Sequence, residues 1–428
     1  MLAAATTAGV AALVLAGLPI QHAAAAPSSA PPTSSSPARP SEVQVPLPAP
    51  TPSSSGKSPD KPDPNPPMGG VGPNGEQVGG ARLQSRGLIT PDGAPALPSG
   101  ITATAFVVVD LDSGNVLAAK DPHGRYQPAS ILKTLTTVTL LPLLPGDKMV
   151  TVSAAAASAE GSAVGLVAGG QYSVDQLFQS LLMVSGNDAA QALAEAAGGV
   201  AHTVDLMNAQ AMKLGAYDTY VQTPSGLDGW SQLTSAYDMA LVLRAAVNQP
   251  RFVAYDQLKT LQMPAQTVNG KTTSTFQIQN QGIPFMNGVN GALVSKIGYT
   301  DAAQHTYLAA TERDGRRIGV VFLRAQRWPI DQWQQAAKLF DWAYALPASV
   351  TPVGHLDAAV TPIAEIRASA SASAAASSSH AAVAAAVAAK TRRQWQADLP
   401  ILGGGILVIA GSALAIRRWR PAPSRSPS

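Results

Sequence analysis

We predict an α+β fold for the globular part of this chain, with an antiparallel sheet flanked by helices. The prediction rests on β-rich runs at residues 103–121 and again over 292–325. Between them, the apolar residues recur with the spacing of α-helices. Because strands occur at both ends with helices between them, the two ends are expected to meet in one sheet. A doubly wound fold would instead alternate strand and helix.

The composition excludes several kinds of chemistry. The 428 residues include no cysteine, so disulfides, cysteine-ligated zinc and thiol catalysis are all excluded. The six histidines are scattered without ligand spacing, and we predict neither a metal nor another cofactor. A formal net charge of +3, with many of the cations near the C-terminus, does not favour binding to nucleic acid.

Both ends of the chain carry targeting signals. Residues 2–20 are apolar and precede small residues at 23–26, so residues 1–26 are predicted to be a signal peptide. Near the other end, residues 399–416 are eighteen residues without a charge, and three arginines follow within 417–420. This pattern predicts a transmembrane helix over 398–416 and a basic cytoplasmic tail over 417–428. We therefore expect a single-pass protein of the cell membrane with its catalytic domain on the extracytoplasmic side.

Two segments of biased composition separate these signals from the globular domain. Residues 27–98 are rich in proline and serine, and we predict that they form a disordered linker because they contain few large apolar residues. Residues 348–397 are rich in alanine and serine and are predicted to be a second linker. The predicted catalytic domain is therefore 99–347, an ordinary size for one domain.

Turn residues and apolar periodicity predict the elements of this domain. Asp112-Ser113-Gly114-Asn115 and Asp314-Gly315 are typical hairpin turns. A further strand is predicted over 292–300. Helical patterns cover residues 130–141, 174–197, 204–214, 235–247 and 330–345.

The first candidate catalytic pair is Ser130 and Lys133. Ser130 stands where a helix is predicted to begin, and Lys133 follows one turn later on the same face. A serine hydroxyl is a poor nucleophile until a base takes its proton, and a lysine serves as that base only when burial or nearby positive charge lowers its pKa. The apolar residues around the pair predict such burial. Ser-x-x-Lys is a weak signal by itself, because it also occurs twice within residues 54–61.

A second group is Ser185-Gly186-Asn187, predicted to lie in a tight turn between helices. From such a turn the hydroxyl of Ser185 can relay a proton to a leaving amine, while the amide of Asn187 binds substrate. The same tripeptide at 113–115 is explained by hairpin geometry.

A third group lies on the predicted strand over 292–300. Lys296 offers positive charge to a carboxylate, and Gly298 allows close approach of a peptide to the strand edge. The backbone amides of Ser130 and Tyr299 are candidates for an oxyanion hole. The order Ser-x-x-Lys, then Ser-x-Asn, then Lys-x-Gly is the pattern of penicillin-binding proteins and class A β-lactamases.

The residues around these motifs resemble the low-molecular-mass penicillin-binding proteins, and more narrowly the D-alanyl-D-alanine carboxypeptidase family of serine peptidases. The resemblance covers about residues 100–345 and rests on four stretches: YQPASILKTLTT, EGSAVGLVAGGQYSVDQLFQSLLMVSGNDAAQALAE, MNAQAMKLGAYDTYVQTPSGLDG and SKIGYTDAAQHTYLAA. It implies a transpeptidase fold and an acyl-enzyme on Ser130 that removes the terminal D-alanine from peptidoglycan stem peptides. It further implies that β-lactam antibiotics acylate Ser130.

One residue departs from the family pattern. The usual Lys-Thr-Gly is Lys296-Ile297-Gly298 here, and the resemblance implies that the missing threonine hydroxyl would help to hold the terminal carboxylate of the substrate. A catalytically weak or inactive peptidoglycan-binding domain therefore stays open as an alternative. A β-lactamase is the other alternative, although no Glu-x-x-Leu-Asn segment follows Asn187. We expect Trp328, Trp333 and Trp342 to be core residues.

Overall fold

The computed structural model describes residues 60–73, 75–347 and 349–357. The predicted signal peptide, membrane helix and tail lie outside the described residues, as does most of the segment 348–397. Within the described ranges, no helix is long and apolar enough to cross a membrane.

The central feature is a seven-stranded antiparallel sheet. The strands of the described chain are β1 (Leu88–Ile89), β2 (Ala105–Asp110), β3 (Asn115–Lys120), β4 (Met149–Thr151), β5 (Gln171–Ser173), β6 (Thr260–Met263), β7 (Thr267–Val268), β8 (Lys271–Thr272), β9 (Phe276–Gln279), β10 (Ala292–Thr300), β11 (Gln304–Arg313), β12 (Arg316–Ala325) and β13 (Gly354–His355). The large sheet has the order β1-β3-β2-β12-β11-β10, and β13 also pairs with β3. Strand β10 is therefore an edge strand. The remaining strands form three two-stranded ladders: β4 with β5, β6 with β9 and β7 with β8.

The helices lie mainly between β3 and β10 in the chain. They are α1 (Lys133–Leu140), α2 (Ala154–Ala157), α3 (Val174–Met183), α4 (Asn187–Ala196), α5 (Val200–Leu214), α6 (Ala236–Val247), α7 (Pro250–Asp256), α8 (Ile283–Gly288) and α9 (Gln332–Ala345). Two 3-10 helices, Ala81–Gln84 and Ala129–Leu132, complete the set.

Alternating side chains of the sheet enter two apolar cores. On β2, Val107 and Val109 belong to the core that α1 and α3–α7 share with the sheet. Their neighbours Phe106 and Val108 face the other way and pack with Phe340 of α9. This alternation follows from the period of two residues in a strand, and it buries the sheet on both faces. Helix α6, which is buried at all but one of its residues, lies directly on the sheet, and the fully buried α1 packs against α6.

The structure confirms the predicted α+β architecture and both hairpins. Strands β2 and β3 pair across the 112–115 turn, and β11 and β12 pair across Asp314-Gly315, where both residues have positive φ. The 174–197 pattern is two helices, α3 and α4, separated by Ser185 in a left-handed conformation (φ 63°). A non-glycine residue in that region cannot continue a right-handed helix, so the chain turns there.

The predicted linker over 27–98 is wrong for its described part, residues 60–73 and 75–98. Leu83 is fully buried, Val78 and Ile89 are also buried, and β1 pairs with the edge of β3. A few apolar side chains in a proline-rich segment are enough to pack when a formed sheet edge satisfies the backbone. The domain likewise extends beyond residue 347, because β13 pairs with β3.

Candidate active site

Ser130 lies on the 3-10 helix that leads into α1. The preceding Ala129 has a positive φ of 48°, which turns the chain sharply at this point. From β11, Thr306 Oγ1 donates a hydrogen bond of 2.9 Å to the carbonyl of Pro128. These constraints hold Ser130 next to the edge strand β10.

Lys133 is fully buried and makes two short contacts. Its Nζ lies 2.9 Å from Ser130 Oγ and 2.6 Å from the carbonyl oxygen of Ser225. Burial lowers the pKa of Lys133 well below its usual value, and the charge of Lys296 lowers the pKa further, while Asp188 acts in the opposite direction. A neutral amine at this position is able to accept the proton of Ser130.

Ser185 lies in the turn between α3 and α4 and is only 3% exposed. Its Oγ has no hydrogen-bond partner in the described part of the chain, and the residue lines the same cleft as Ser130. Asn187 begins α4, and its Nδ2 donates a hydrogen bond of 2.5 Å to the Glu160 carbonyl. Asn187 Oδ1 is buried without a partner among the described residues.

Asp188, which sequence reasoning missed, holds the segment that faces this turn. Its carboxylate accepts hydrogen bonds of 2.9 to 3.1 Å from the backbone amides of Val164, Gly165 and Leu166. A buried carboxylate that accepts several amide bonds is strongly stabilised. The segment before Val164 is held by Asn187 itself, whose backbone amide donates a hydrogen bond of 2.6 Å to the carbonyl of Ser162.

Lys296 is 2% exposed and lies on β10. Its Nζ donates a hydrogen bond of 3.0 Å to the carbonyl of Ile297. Burial lowers the pKa of Lys296 to about 8, against the opposing effect of Asp256. Burial also raises the pKa of Asp256 to about 7, although its Oδ2 accepts a hydrogen bond of 2.8 Å from the amide of Ser295. The buried carboxyl group of Asp256, at the end of α7, is therefore held against β10 near the buried Lys296.

The remaining residues of β10 differ in exposure. A Cβ added at Gly298 would lie 2.7 Å from the amide nitrogen of Ser130 and still closer to Thr306 Oγ1, so only glycine fits between strand and nucleophile. Tyr299 is 54% exposed, and its hydroxyl donates a hydrogen bond to Asp301. Ile297 is 39% exposed and has no side-chain atom able to form a hydrogen bond.

Some of these residues line one cleft of about 480 Å³: Ser130, Ser185, Ile297, Gly298 and Tyr299. Asn187 and Lys296 are buried behind its surface and do not line it. Lys133 reaches it through its contact with Ser130 Oγ. Most of the predicted site is therefore assembled from three distant parts of the chain around the edge of the sheet.

Several neighbours of the cleft were not predicted. Ser225, whose carbonyl contacts Lys133, lies in the Thr-Pro-Ser-Gly stretch, which is part of the family resemblance but was given no chemical role. Asp188 and Asp256 gave no signal beyond being acidic. The described ranges contain no group of three or more histidine, cysteine, aspartate or glutamate residues suited to a metal ion.

The prediction for the tryptophans is partly wrong. Trp342 is buried and Trp333 is partly buried against the same core, where it also lines the cleft, but Trp328 is 83% exposed. Trp328 precedes α9 and therefore lies outside the face of the helix that packs on the sheet.

Comparison with solved structures identifies the class of fold. The Streptomyces K15 DD-transpeptidase superposes with a TM-score of 0.55 over 59% of this chain and 100% of that one, at 22% identity. The fold is thus that of the penicillin-binding transpeptidases. A crystal structure of a D-alanyl-D-alanine carboxypeptidase from Mycobacterium tuberculosis H37Rv superposes with a TM-score of 0.58, at 38% identity over 62% of this chain and 99% of that chain.

Sequence comparison identifies the family. The family model described as D-alanyl-D-alanine carboxypeptidase matches residues 93–327, and the chain belongs to this family. It is 38% identical over 262 residues to the D-alanyl-D-alanine carboxypeptidase DacB2 of Mycobacterium tuberculosis, covering 60% of this chain and 87% of that protein. It is 30% identical over 273 residues to DacA of Escherichia coli K12, of which it spans only 64%.

Proposed function

We propose that the chain is a serine-type D-alanyl-D-alanine carboxypeptidase that removes the terminal D-alanine from peptidoglycan stem peptides. Family membership and the names of its relatives support this activity. The observation that carries the proposal is the distance of 2.9 Å between Lys133 Nζ and Ser130 Oγ, with the lysine fully buried. A nucleophile and a base of lowered pKa within hydrogen-bond distance are what acyl transfer requires.

In the first step, Ser130 Oγ attacks the carbonyl carbon of the penultimate D-alanine while Lys133 takes the hydroxyl proton. The backbone amides of Ser130 and Tyr299 would stabilise the negative oxygen that forms. The C–N bond then breaks, and Ser185 relays the proton to the departing amine of D-alanine. The unpartnered Oγ of Ser185 in the cleft is consistent with this role.

In the second step, water attacks the ester on Ser130, and the shortened peptide leaves with a new carboxyl group. The substrate would lie along β10, the edge strand, where Gly298 permits close approach and Lys296 supplies positive charge. Asn187 would bind the substrate backbone. A β-lactam would acylate Ser130 by the same first step.

We further propose that the chain acts at the outer face of the cell membrane. The basis is the apolar stretch 399–416 with the arginines that follow it, together with the signal-like residues 1–26. Removal of residues 398–428 is expected to move the protein from the membrane fraction to the soluble fraction. Retention in the membrane after this deletion would contradict the proposed anchor.

The activity is tested with the full chain in mild detergent and the peptide diacetyl-Lys-D-Ala-D-Ala. We expect release of free D-alanine that is lost in Ser130→Ala, and labelling of Ser130 by a fluorescent penicillin. Labelling of Ser130 by penicillin without release of D-alanine would indicate an intact nucleophile that acts on a different substrate. The replacement of the usual threonine by Ile297 gives a reason to test for this outcome. A folded protein that shows neither would exclude the enzyme and favour a peptidoglycan-binding domain.

A further inference from the structure

The chain that leads to the nucleophile is flanked by a segment outside the family match. Residues 66–72, which we call the strap, precede the matched residues 93–327, so family membership assigns them no role. Met68 of the strap forms an antiparallel bridge with Gly124. Two backbone hydrogen bonds of 2.9 Å extend this ladder, one from the Gly69 amide to the His123 carbonyl and one from the Arg125 amide to the Pro67 carbonyl. The strap is thus paired with the backbone just before Ser130.

A buried carboxylate joins the strap to the same backbone through side chains. Asp218 is 4% exposed, and its Oδ1 accepts a hydrogen bond of 2.9 Å from the Gly70 amide. Its Oδ2 lies 2.9 Å from Nδ1 of His123, whose ring is fully buried. Oδ1 also accepts a hydrogen bond of 3.3 Å from Nε of Arg125. A buried carboxylate with several donors is strongly stabilised, so this group fixes the strap and residues 123–125 against each other.

The backbone held in this way runs directly into the reactive groups. On the side away from the strap, Tyr126 and Thr234 exchange two backbone hydrogen bonds of 2.8 Å. A few residues later, Ser130 Oγ lies 2.9 Å from Lys133 Nζ. The approach to Ser130 is therefore held from two sides, and the strap is one of them. If the strap moved, this approach could shift relative to Lys133.

The strap fits only because two of its residues have no side chain. A Cβ added at Gly69 would lie 1.6 Å from Asp218 Oδ1, and a Cβ added at Gly70 would lie 2.7 Å from the ring of His123. Gly70 also has a φ of 80°, a conformation that favours glycine. Contacts this close transmit a displacement of the strap to His123, because packed interiors are nearly incompressible.

A partly exposed arginine ties the strap to the start of the same backbone. Arg86 Nη2 donates a hydrogen bond of 2.6 Å to the Pro66 carbonyl, and its Nη1 donates one of 3.2 Å to Asp121 Oδ2. The hydroxyl of Tyr126 donates a hydrogen bond to the same oxygen of Asp121. The Arg86 side chain is 47% exposed, so its replacement disturbs the strap without opening the core.

We propose that the strap is a positioning element for acylation, which holds residues 121–127 so that Ser130 Oγ stays within hydrogen-bond distance of Lys133 Nζ. None of the described strap residues lines the cleft, so the strap acts through this backbone rather than on the substrate. This inference rests on the proposed function. Displacement of the strap should slow the attack of Ser130 and leave substrate binding unchanged.

The first test uses the full chain with a glycine substitution in the strap. In Gly70→Ala we expect kcat for D-alanine release to fall about tenfold at unchanged KM, because a small displacement of reacting groups is costly. The rate constant for labelling by a fluorescent penicillin should fall by the same factor. Gly75→Ala is the matched control, since Gly75 has a φ of 83° but an added Cβ would meet nothing within 4 Å. It should keep the wild-type rates.

A milder pair of variants tests the strap where folding is not at risk. Arg86→Gln removes the contacts to Pro66 and Asp121, and it should lower the labelling rate about two- to threefold, the size of one partly exposed ion pair. Arg82→Gln is its control, because the Arg82 side chain is 44% exposed and bonds to Thr90 and Asp92 instead. The fraction of molecules labelled at completion separates the two effects: unfolding reduces this fraction, whereas displacement slows the rate at full labelling.

Three results would overturn the inference. The first is wild-type rates in both Gly70→Ala and Arg86→Gln. The second is an equal loss in Gly70→Ala and Gly75→Ala, which would assign the effect to backbone strain, and the third is a change in KM alone. If Gly70→Ala does not fold, the comparison of Arg86→Gln with Arg82→Gln decides. If the wild type neither releases D-alanine nor is labelled, the proposed function itself fails, and the inference fails with it.

Discussion

Two buried lysines with opposite requirements control the chemistry at the scale of single residues. Lys133 has to be neutral to take a proton, and its pKa is lowered well below the usual value by burial and by the charge of Lys296. Lys296 has to be charged to attract a carboxylate, and burial lowers its pKa to about 8. The activity is therefore expected to rise with pH as Lys133 loses its proton, and to fall again as the pH passes about 8.

The carboxyl group of Asp256 should control the alkaline side of this profile. Asp256, with a pKa of about 7, is mostly ionised at pH 8 and raises the pKa of Lys296. Asp256→Asn removes that charge, so Lys296 should lose its proton at lower pH. We expect the alkaline limb of kcat/KM for D-alanine release to move down by about half to one pH unit.

The matched control for Asp256→Asn is Asp147→Asn, which neutralises an exposed carboxylate and should leave the profile in place. If the alkaline limb of the pH profile in Asp256→Asn stays at the wild-type pH, then loss of the Lys296 proton does not limit activity at alkaline pH.

Ile297 is the second residue with a defined expectation. Ile297→Thr introduces a hydroxyl where the family pattern has one, and this hydroxyl is expected to bind the substrate carboxylate. The kcat/KM for D-alanine release should rise about five- to tenfold, the usual effect of one added hydrogen bond. Ile297→Val is the control, because valine has the shape of threonine without the hydroxyl. Equal gains in both variants would assign the effect to side-chain size.

At the scale of secondary-structure elements, the contact between β10 and the 3-10 helix of Ser130 leaves no room for a side chain at Gly298. Gly298→Ala would put a Cβ at 2.7 Å from the Ser130 amide, so strand and nucleophile have to separate. A displacement of that size is expected to reduce kcat/KM by about a hundredfold or more. The measurement is D-alanine release together with the rate of penicillin labelling.

Gly87→Ala provides the comparison for this variant. Gly87 is exposed, and its added Cβ would meet only the Ser85 hydroxyl at 3.3 Å. It should have nearly wild-type activity. Wild-type labelling in Gly298→Ala would show that the helix can shift without loss of the reactive geometry.

Elements with strong local signals were predictable from the sequence. Strand β10 has the predicted bounds, and β12 begins directly after the predicted Asp314-Gly315 turn, because both combine β-rich composition with defined turns. The short ladders β4–β5 and β6–β9 were not predicted. They have only three or four residues per strand, and such segments depend on their partners rather than on a periodic pattern.

At the scale of the whole molecule, the domain is larger than composition indicates. Residues 60–98 resemble a linker in composition, yet Leu83 is fully buried within the core. Leu83→Ala is expected to lower the free energy of unfolding by about 2–5 kcal/mol, as for other buried leucines. Urea unfolding followed by tryptophan fluorescence measures the change.

The control for Leu83→Ala is Leu88→Ala in the neighbouring β1, where the side chain is 59% exposed. Its cost should be below about 0.5–1 kcal/mol. Equal and small effects of both substitutions would restore the linker interpretation for this segment.

From the sequence alone, the fold class, the two hairpins and the motifs at Ser130, Ser185 and Lys296 were accessible, because each depends on local spacing or on a motif of known order. The tertiary structure was needed for what depends on distance through space: the burial of Lys133, the carboxyl group of Asp256 beside Lys296, and the amides held by Asp188. These properties arise from desolvation and from contacts between residues far apart in the chain, and no periodicity or composition encodes which distant groups will meet.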